Sequence, residues 1–454
     1  MMRSSGIENH PQGHLWKVGE RRSAPLSAAM QLFYRGIHSA YHTVVPYRMR
    51  IILWEYRRRR LRAFKEYAQA RNRKLIEQCK TELRQIIAQS PDAKGVVIFP
   101  RSVAWDTPLF QRPHQMAMAF ASLGYLVFYW VQVDSIDNVA RFRKVNHGLY
   151  LCNVAPEVLR CVENPIVITY TYTYNWTAQL KSSSIVYELI DRLEIFSNFP
   201  LPLLRHYHKK LLSQATVVVG TANELLEDLA QHRPDAILCP NGVDYDHFAS
   251  NNKDIRGSYE DIQRIIEEGK PIVGYYGALA EWFDYDLMKH AAKALPGYNF
   301  VLIGPDYDFS IGKTGITKLA NIHWLGPKNY HILPKYLHAF DIATIPFQIT
   351  KTLQAVSPIK LFEYMAGGRP IVTTDLVECR KYPIVLVAKN QDEFVGCLQR
   401  AMQLRDEPAY LAALKTTAQE NTWHARARTI ITAIEAKQTP PFSSISNSKE
   451  SRSC

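Results

Sequence analysis

From residue 95 onward, short apolar runs alternate with longer polar stretches that favour helices, and this alternation constrains the fold most strongly. Parallel strands covered by helices on both faces have such apolar runs, so the pattern predicts α/β structure with parallel sheets. Ligands of open α/β sheets bind at the loops after the carboxyl ends of the strands. In the first half of the chain we predict strands at residues 95–99, 125–129, 166–169, 185–187, 216–220 and 236–240.

The length of 454 residues exceeds what one ordinary hydrophobic core holds and predicts two such domains. A charged connector at residues 249–269, poor in apolar side chains, is the predicted boundary between them. We therefore predict a basic helical extension over residues 1–90, a first α/β domain over 91–250, a second over 260–435, and a serine-rich, disordered tail over 437–454.

The segment at residues 357–372 reads SPIKLFEYMAGGRPIV and predicts a helix followed by a turn and a buried strand. Ser357 and Pro358 suit the N-cap and first turn of a helix that starts at Ser357. Such a start offers free N–H groups and a positive dipole end to a phosphate, and Lys360 adds a full charge. Glu363 shares a helix face with Lys360 and can accept hydrogen bonds from a sugar hydroxyl. An amphipathic helix whose Lys360 and Glu363 merely face water is the alternative.

The same segment resembles the P-x-K-x-x-E-Y-x-A-x-G-x-P-V-V signature of nucleotide-sugar glycosyltransferases with the GT-B fold, especially the family-4-like group. Further matches occur in the expected order at Asn241-Gly-Val-Asp244, 271–279, 300–305, 322–327 and 341–347. The resemblance spans roughly residues 95–435. It is nearest to bacterial capsule and exopolysaccharide transferases, and it implies two Rossmann-like domains that face a cleft.

In the related enzymes the donor lies on the second domain and the acceptor on the first, and the resemblance implies site residues accordingly. Gly277 would let the backbone approach the phosphates, which Ser357 and Lys360 would bind, and Glu363 would orient hydroxyls. Lys328, in the loop after a Gly-Pro pair, would read the base. An ordinary turn glycine and a solvated lysine remain the alternatives for Gly277 and Lys328. The resemblance implies no cofactor and no metal, only a UDP- or GDP-linked sugar as donor.

The chain also departs from the family pattern. Ala355 stands where the family has the first of two glutamates, and the loop after Gly277 lacks the usual arginine and lysine. Retaining or inverting stereochemistry therefore stays open, and a degenerate scaffold in a polysaccharide-assembly complex is an alternative. A metal-dependent GT-A-type transferase is another, because Asp-Tyr-Asp occurs three times, starting at Asp244, Asp284 and Asp306.

Three residues of the first domain are candidates for work on the acceptor. An inverting transferase needs a general base near the acceptor hydroxyl. Asp191 follows a predicted buried strand, while Asp106 and His114 lie in the loop and helix start after the first strand. Asp191 is our first choice. A helix-capping or ion-paired aspartate and a packed histidine are the alternatives.

The first 90 residues hold 18 Lys and Arg against six Asp and Glu, and so carry nearly all of the net charge of +13. Apolar residues at helical spacing, from Leu61 to Ile86, run through this segment beside the aromatic cluster around Trp54. A basic amphipathic helix of this kind suits an anionic membrane surface. A helix packed on the catalytic domains is the alternative. We expect no nucleic-acid binding, because no recognised nucleic-acid motif accompanies the basic run.

The seven cysteines show neither CxxC pairs nor metal-ligand spacing, which favours a reducing compartment and argues against a zinc site. No apolar run approaches the ~18 residues of a membrane span. We therefore expect a cytoplasmic protein, peripheral at the inner face of the cell membrane, whose acceptor is a glycan or a polyprenyl-linked sugar.

Overall fold

The apolar runs form the strands of two separate sheets. The computed structural model describes residues 73–438 except 108–109, 133–135, 182–183, 197 and 251–258. The first sheet contains β1 (Val96–Phe99), β2 (Leu126–Trp130), β3 (Phe142–Asn146), β4 (Leu149–Cys152), β5 (Ile166–Thr169), β6 (Ser184–Leu189), β7 (Val217–Gly220) and β8 (Ile237–Leu238). The second contains β9 (Ile272–Tyr276), β10 (Asn299–Ile303), β11 (Ile322–Trp324), β12 (Ile342–Ile345), β13 (Ile371–Thr374) and β14 (Leu386–Ala388).

Both sheets have crossover topology. The strand order is β3-β4-β2-β1-β5-β6-β7-β8 in the first sheet and β11-β10-β9-β12-β13-β14 in the second. Strands β3 and β4 pair antiparallel, and the other pairs of neighbours are parallel. The predicted α/β class with two parallel-sheet domains is confirmed. A single-domain GT-A-type architecture is excluded, since each sheet has its own buried core.

Helices cover the sheets, as parallel pairing requires. In the first half they are α1 (Arg73–Ala88), α2 (Arg112–Ser122), α3 (Pro156–Leu159), α4 (Tyr174–Thr177), α5 (Leu201–Gln214), α6 (Asn223–Ala230) and α7 (Tyr245–Ala249). In the second half they are α8 (Glu260–Glu267), α9 (Tyr285–Ala294), α10 (Ser310–Thr314), α11 (Leu333–Ala339), α12 (Lys351–Gln354), α13 (Ile359–Ala366), α14 (Val377–Arg380), α15 (Gln391–Leu404), α16 (Pro408–Glu420) and α17 (Trp423–Gln438). Single 3₁₀ turns occupy Thr171–Thr173, Leu193–Ile195, Ile316–Lys318 and Tyr330–Ile332.

The two ends of the described chain both pack on the first domain. The apolar face of α17, including Trp423 and Ile430, lies in the same core as strands β1 and β2. Helix α17, which the prediction places mostly within the second domain of residues 260–435, therefore packs on the first sheet. The chain crosses back because the apolar stripe of α17 fits the face of the first sheet that also holds α2.

Helix α1 is also part of the first domain rather than of a separate extension. Its residues Cys79, Leu83 and Ile86 are buried with side chains of β1 and β2. Over residues 73–88 the apolar stripe therefore packs on the body, as the alternative to the membrane interpretation proposes. Residues 1–72 and the tail 439–454 lie outside the described residues. No helix that the structure describes is both long and apolar enough to cross a membrane.

Candidate functional site

The helix predicted at residues 357–372 is present, but it begins later than expected. Helix α13 starts at Ile359 with Pro358 as its N-cap, and that cap makes no side-chain hydrogen bond. Ser357 therefore lies one residue before the N-cap, and the helix start predicted at Ser357 is two residues too early. Its Oγ instead accepts a hydrogen bond from the Asn241 N–H at 3.2 Å, and its carbonyl oxygen accepts one from Asn241 Nδ2 at 2.6 Å. Ser357 thus ties the entry of α13 to the end of the first domain.

Lys360 and Gly277 lie together at the carboxyl edge of the second sheet. Gly277 follows β9 with φ +143°, and a Cβ built there would lie 2.9 Å from Lys360 Cε. The Lys360 Nζ lies 5.0 Å from the centroid of the Phe347 ring and 5.5 Å from that of Tyr275. Burial lowers the pKa of Lys360, and the nearby Glu363 opposes this fall. A partly desolvated cation therefore stands beside the glycine turn.

Glu363 lies one helical turn beyond Lys360 and is buried. Burial raises the pKa of Glu363, while Tyr276 and Lys360 act to lower it. Each group stabilises the charged form of the other and so offsets part of the free-energy cost of burying a charge. Both groups can therefore be charged. A cation that can bind an anion and a carboxylate that can accept hydroxyl hydrogen bonds are thereby brought to one place, as the motif spacing predicts.

The glycine turns after β9 and β10 pack directly on each other. Gly304 has φ +146°, and a Cβ there would lie 1.8 Å from the carbonyl oxygen of Gly277. The Gly277 N–H donates to the Ile303 carbonyl at 2.9 Å. No side chain larger than hydrogen fits between these turns. The backbone beside Lys360 is consequently fixed in a conformation that only glycine adopts readily.

Lys328 forms an ion pair with Asp261, which does not belong to the group of Lys360, Gly277 and Glu363. Its ammonium lies 2.6 Å from Asp261 Oδ2 and 5.3 Å from the Tyr336 ring centroid. The Tyr336 hydroxyl donates to the same carboxylate at 3.1 Å. The role of Lys328 in base recognition remains a prediction.

The acceptor-side candidates differ in how their polar atoms are used. Asp106 is exposed and forms an ion pair with Arg143 at 2.7 Å. His114 is fully buried: its Nδ1 accepts from the Gln111 N–H at 3.1 Å, so its Nε2 donates to the Ala104 carbonyl at 2.8 Å. Asp191 lies just past β6, and desolvation raises the pKa of its carboxyl to about 7. Of these three, Asp191 has the properties of a general base for neutral pH.

The first domain contains a buried ion pair that was not predicted from the sequence. Arg112 Nη2 lies 2.5 Å from Glu188 Oε1, and both side chains are almost fully buried. Arg112 Nη1 also donates to the Pro240 carbonyl at 3.0 Å and to Asn241 Oδ1 at 3.3 Å. The pair joins α2, β6 and the Asn-Gly turn, and Asn241 passes the connection on to Ser357. The sequence feature that could have indicated this ion pair is Arg112, which directly precedes a proline at a helix start.

An aspartate in each of the three Asp-Tyr-Asp copies accepts a hydrogen bond from a backbone N–H group. Asp244 and Asp284 cap α7 and α9 by accepting from His247 N–H and Leu287 N–H. In the third copy, Asp308 accepts from the Glu281 N–H at 2.8 Å. Among the residues that the structure describes, no group of three or more His, Cys, Asp or Glu side chains is arranged to hold a metal ion.

Comparisons with known proteins agree with this architecture. The model of the glycosyl transferase-like family matches residues 285–432. TuaH of Bacillus subtilis, named as a teichuronic acid biosynthesis glycosyltransferase, is 24% identical over 272 residues, which cover 57% of this chain and 67% of TuaH.

Two solved structures carry the fold comparison. HepE of Anabaena, in complex with UDP and glucose, is similar with a TM-score of 0.57 at 14% identity, covering 75% of this chain and 100% of that one. Sucrose-phosphate synthase of Thermosynechococcus elongatus has a TM-score of 0.55 at 14% identity, covering 76% and 99%. Together with the two-sheet fold, these findings identify the protein as a glycosyltransferase with the GT-B fold.

Proposed function

We propose that the protein transfers a sugar from a nucleoside-diphosphate donor, UDP- or GDP-linked, to a glycan or polyprenyl-linked acceptor in the assembly of cell-envelope polysaccharide. The observation that carries this proposal is the position of the Lys360 ammonium beside the Gly277 turn, with Glu363 on the same helix face.

The chemistry of the donor fits this arrangement. Negative charge develops on the leaving diphosphate as the glycosidic bond breaks, and a preorganised cation in a water-poor site stabilises it. Lys360 supplies that cation, and the first N–H groups of α13 supply a positive dipole end. A bound diphosphate offsets the burial that lowers the pKa of Lys360, so the site gains charge balance on binding. We propose that no metal ion is needed.

The similar proteins support the donor class and the setting. HepE is solved with UDP and glucose, and a trehalose-6-phosphate enzyme of E. coli is solved with UDP-2-fluoro glucose. TuaH is named for teichuronic acid, a polysaccharide. These relatives motivate a uridine nucleotide as the first donor to test and an envelope glycan as the product.

On the acceptor side we propose Asp191 as the general base of an inverting transfer. Its carboxyl, with a pKa of about 7, can accept the proton of the acceptor hydroxyl near neutral pH. Asp106 is less suited because its carboxylate forms an ion pair with Arg143. His114 is less suited because both of its ring nitrogens form hydrogen bonds with backbone groups. A retaining transfer of this fold needs no such base, so loss of Asp191 distinguishes the two outcomes.

We also propose that the basic segment before residue 73 holds the protein at the inner face of the cell membrane. Residues 47–72 contain Arg57 to Arg60, and each cation near an anionic surface contributes about 1 kcal/mol. Removing residues 1–72 leaves α1 on the first domain and should release the protein from phosphatidylglycerol vesicles. Unchanged sedimentation with those vesicles would contradict the membrane proposal.

The donor site is tested by calorimetry in EDTA. UDP, GDP, ADP and dTDP are titrated into the full-length protein, into Lys360→Ala and into Lys293→Ala, an exposed lysine of the same domain. We expect selective binding of one nucleotide, lost in Lys360→Ala and kept in Lys293→Ala. Binding that requires Mn²⁺ would contradict the metal-independent site, and binding that survives Lys360→Ala would contradict the assignment of Lys360.

A further inference from the structure

The described chain passes between the two hydrophobic cores twice. The stretch from Cys239, which is buried in the first core, to Val243, which is buried in the second, is the outgoing connection. The stretch from Ala418, in the second core, to Trp423, in the first, is the returning connection. In the described part of the chain, these two stretches are the covalent links between the two domains.

The two connections are hydrogen-bonded to each other. The Val243 N–H donates to the Asn421 carbonyl at 3.0 Å, and the Trp423 N–H donates to the Val243 carbonyl at 3.1 Å. A Cβ built at Gly242 would lie 2.9 Å from the Asn421 carbonyl oxygen and 3.0 Å from the Trp423 nitrogen. Because these neighbours are backbone atoms, they cannot rotate away as a flexible side chain can. The connections therefore form one paired unit that leaves no room for a side chain at Gly242.

Asn241 joins this paired unit to the start of α13. Its Nδ2 donates to the Ser357 carbonyl at 2.6 Å, and its backbone N–H donates to the Ser357 Oγ at 3.2 Å. Ser357 is buried, lies two residues before α13 and precedes Lys360 by three residues. Two hydrogen bonds from one residue therefore fix the position of the backbone that enters α13.

The remaining polar groups of Asn241 are bonded to the first domain. Its Oδ1 accepts from Arg112 Nη1 at 3.3 Å, and its carbonyl oxygen accepts from Arg426 Nε at 3.1 Å. Arg112 lies on α2 and Arg426 on α17, two helices that pack on each other. Arg112 is held in turn by its buried ion pair with Glu188. Asn241 uses its N–H, its carbonyl and both ends of its amide, so it cannot shift without breaking bonds to one domain or the other.

We propose that Asn241 is a positioning residue for the donor site: it holds the entry of α13 so that Lys360 and the first N–H groups of the helix face the diphosphate. The inference rests on the proposed function and goes beyond it, because Asn241 acts without touching the donor. A site whose supporting hydrogen bonds are already in place stabilises a developing charge without first having to reorganise. The phosphates are the part of the nucleotide assigned to Lys360 and α13, so loss of Asn241 should weaken the phosphate contacts most.

The test compares a nucleoside diphosphate with its monophosphate. The wild type and Asn241→Ala are titrated by calorimetry in EDTA with UDP and UMP, and with the matching pair if GDP, ADP or dTDP is the preferred nucleotide. Loss of the amide bonds should weaken the diphosphate roughly 3- to 10-fold. The monophosphate should weaken less, so the ratio of diphosphate to monophosphate affinity should fall. Alanine is used because aspartate would repel the phosphates by its own charge.

Asn321→Ala is the matched control for a purely structural loss. Asn321 precedes β11, at the amino edge of the second sheet, and its Nδ2 donates to the Ala292 carbonyl at 2.9 Å and to the Tyr298 carbonyl at 3.0 Å. Its replacement should lower the Tm and keep the ratio of diphosphate to monophosphate affinity. Thermal unfolding of each variant is measured, and the titrations are made well below the lowest Tm. A lowered Tm with an unchanged ratio in Asn241→Ala would give that residue a structural role only.

Gly242→Ala distinguishes positioning from direct contact. The variant adds no polar group, but its methyl group would push the two connections apart. If Asn241 acts by holding α13, this shift should also lower the ratio of diphosphate to monophosphate affinity. If the ratio falls in Asn241→Ala and keeps its wild-type value in Gly242→Ala, Asn241 contacts the nucleotide itself and the positioning role is contradicted. Should Gly242→Ala fail to fold, the comparison of Asn241→Ala with Asn321→Ala decides.

The same titrations separate the inference from the proposed function. A wild type that binds none of the nucleotides would contradict both. If diphosphate binding is lost in Lys360→Ala but the ratio is unchanged in Asn241→Ala, the donor site stands and the inference alone is contradicted. A ratio that falls in Asn241→Ala and Gly242→Ala, and is unchanged in Asn321→Ala, would support the positioning role.

Discussion

The carboxyl edges of the two sheets use their ionisable side chains differently. At the first, Asp106 and Arg112 are neutralised by ion pairs, and Asp191 is left as a desolvated carboxyl. At the second, Lys360 stands against a glycine turn and two aromatic faces, with Glu363 as its nearby counter-charge. The comparison teaches that the first edge is mostly internal structure with one desolvated carboxyl, whereas the second holds a desolvated cation that suits the proposed diphosphate.

The largest effect is expected at Asp191. Loss of a general base typically lowers a rate by about 10²–10⁴, so Asp191→Asn should reduce kcat/KM by that factor. Because the base works as the carboxylate, the wild-type rate should rise with pH and level off above about 7, the pKa of Asp191. Initial rates across pH 5–9 check both expectations. An Asp191→Asn enzyme with wild-type rates would indicate a retaining mechanism without a base.

The second effect concerns the buried ion pair of the first edge. Arg112→Met should lower the free energy of unfolding by about 3–5 kcal/mol, because Glu188 then remains buried and unpaired. Arg143→Met is the control, since its partner Asp106 is 42% exposed and such pairs contribute about 0–1 kcal/mol. Urea unfolding of both variants measures the difference. Similar losses in the two would contradict the structural role assigned to Arg112.

The third effect concerns the glycine turns of the second edge. Gly304→Ala should cost about 1–3 kcal/mol through overpacking against the Gly277 carbonyl, and the shifted turn should weaken nucleotide binding. Gly368→Ala is the matched control: it also has positive φ, but a Cβ added there would have no other atom within 4 Å. It should cost about 1 kcal/mol without changing nucleotide affinity. Unchanged nucleotide binding by Gly304→Ala would separate the turn from the donor site.

The smallest effect is expected at Lys328. Its ion pair with Asp261 is partly exposed, so Lys328→Met should lower the free energy of unfolding by about 0.5–1 kcal/mol. Titration of Lys328→Met with UDP, GDP, ADP and dTDP also tests the predicted role of Lys328 in base recognition, and an unchanged preference among them would contradict that role. A changed preference, measured by calorimetry, would support the prediction that Lys328 reads the base.

The sequence predicted the central strands well, because buried parallel strands are nearly continuous apolar runs. Strands β5 and β13 fall at the predicted residues. The hairpin of β3 and β4 was missed, since β3 is polar and largely exposed at the sheet edge. Helix α17 was assigned to the second domain because nothing in a local pattern tells which sheet an amphipathic helix covers.

At the site, local spacing predicted what one helix can determine. Lys360 and Glu363 were predicted because their spacing puts both on one face of α13, and Gly277 because the strand and turn at residues 271–279 resemble the family pattern. The partners of Lys328, Ser357 and Arg112 could not be found this way. They lie 67, 116 and 76 residues away along the chain.

The most direct test of the donor site is a crystal structure of the full-length protein with the nucleotide that it binds in calorimetry. We expect the diphosphate at the carboxyl edge of the second sheet, with an oxygen in hydrogen-bond distance of Lys360 Nζ and the phosphates against the Gly277 turn. A diphosphate bound elsewhere, or one that leaves Lys360 without contact, would contradict the account.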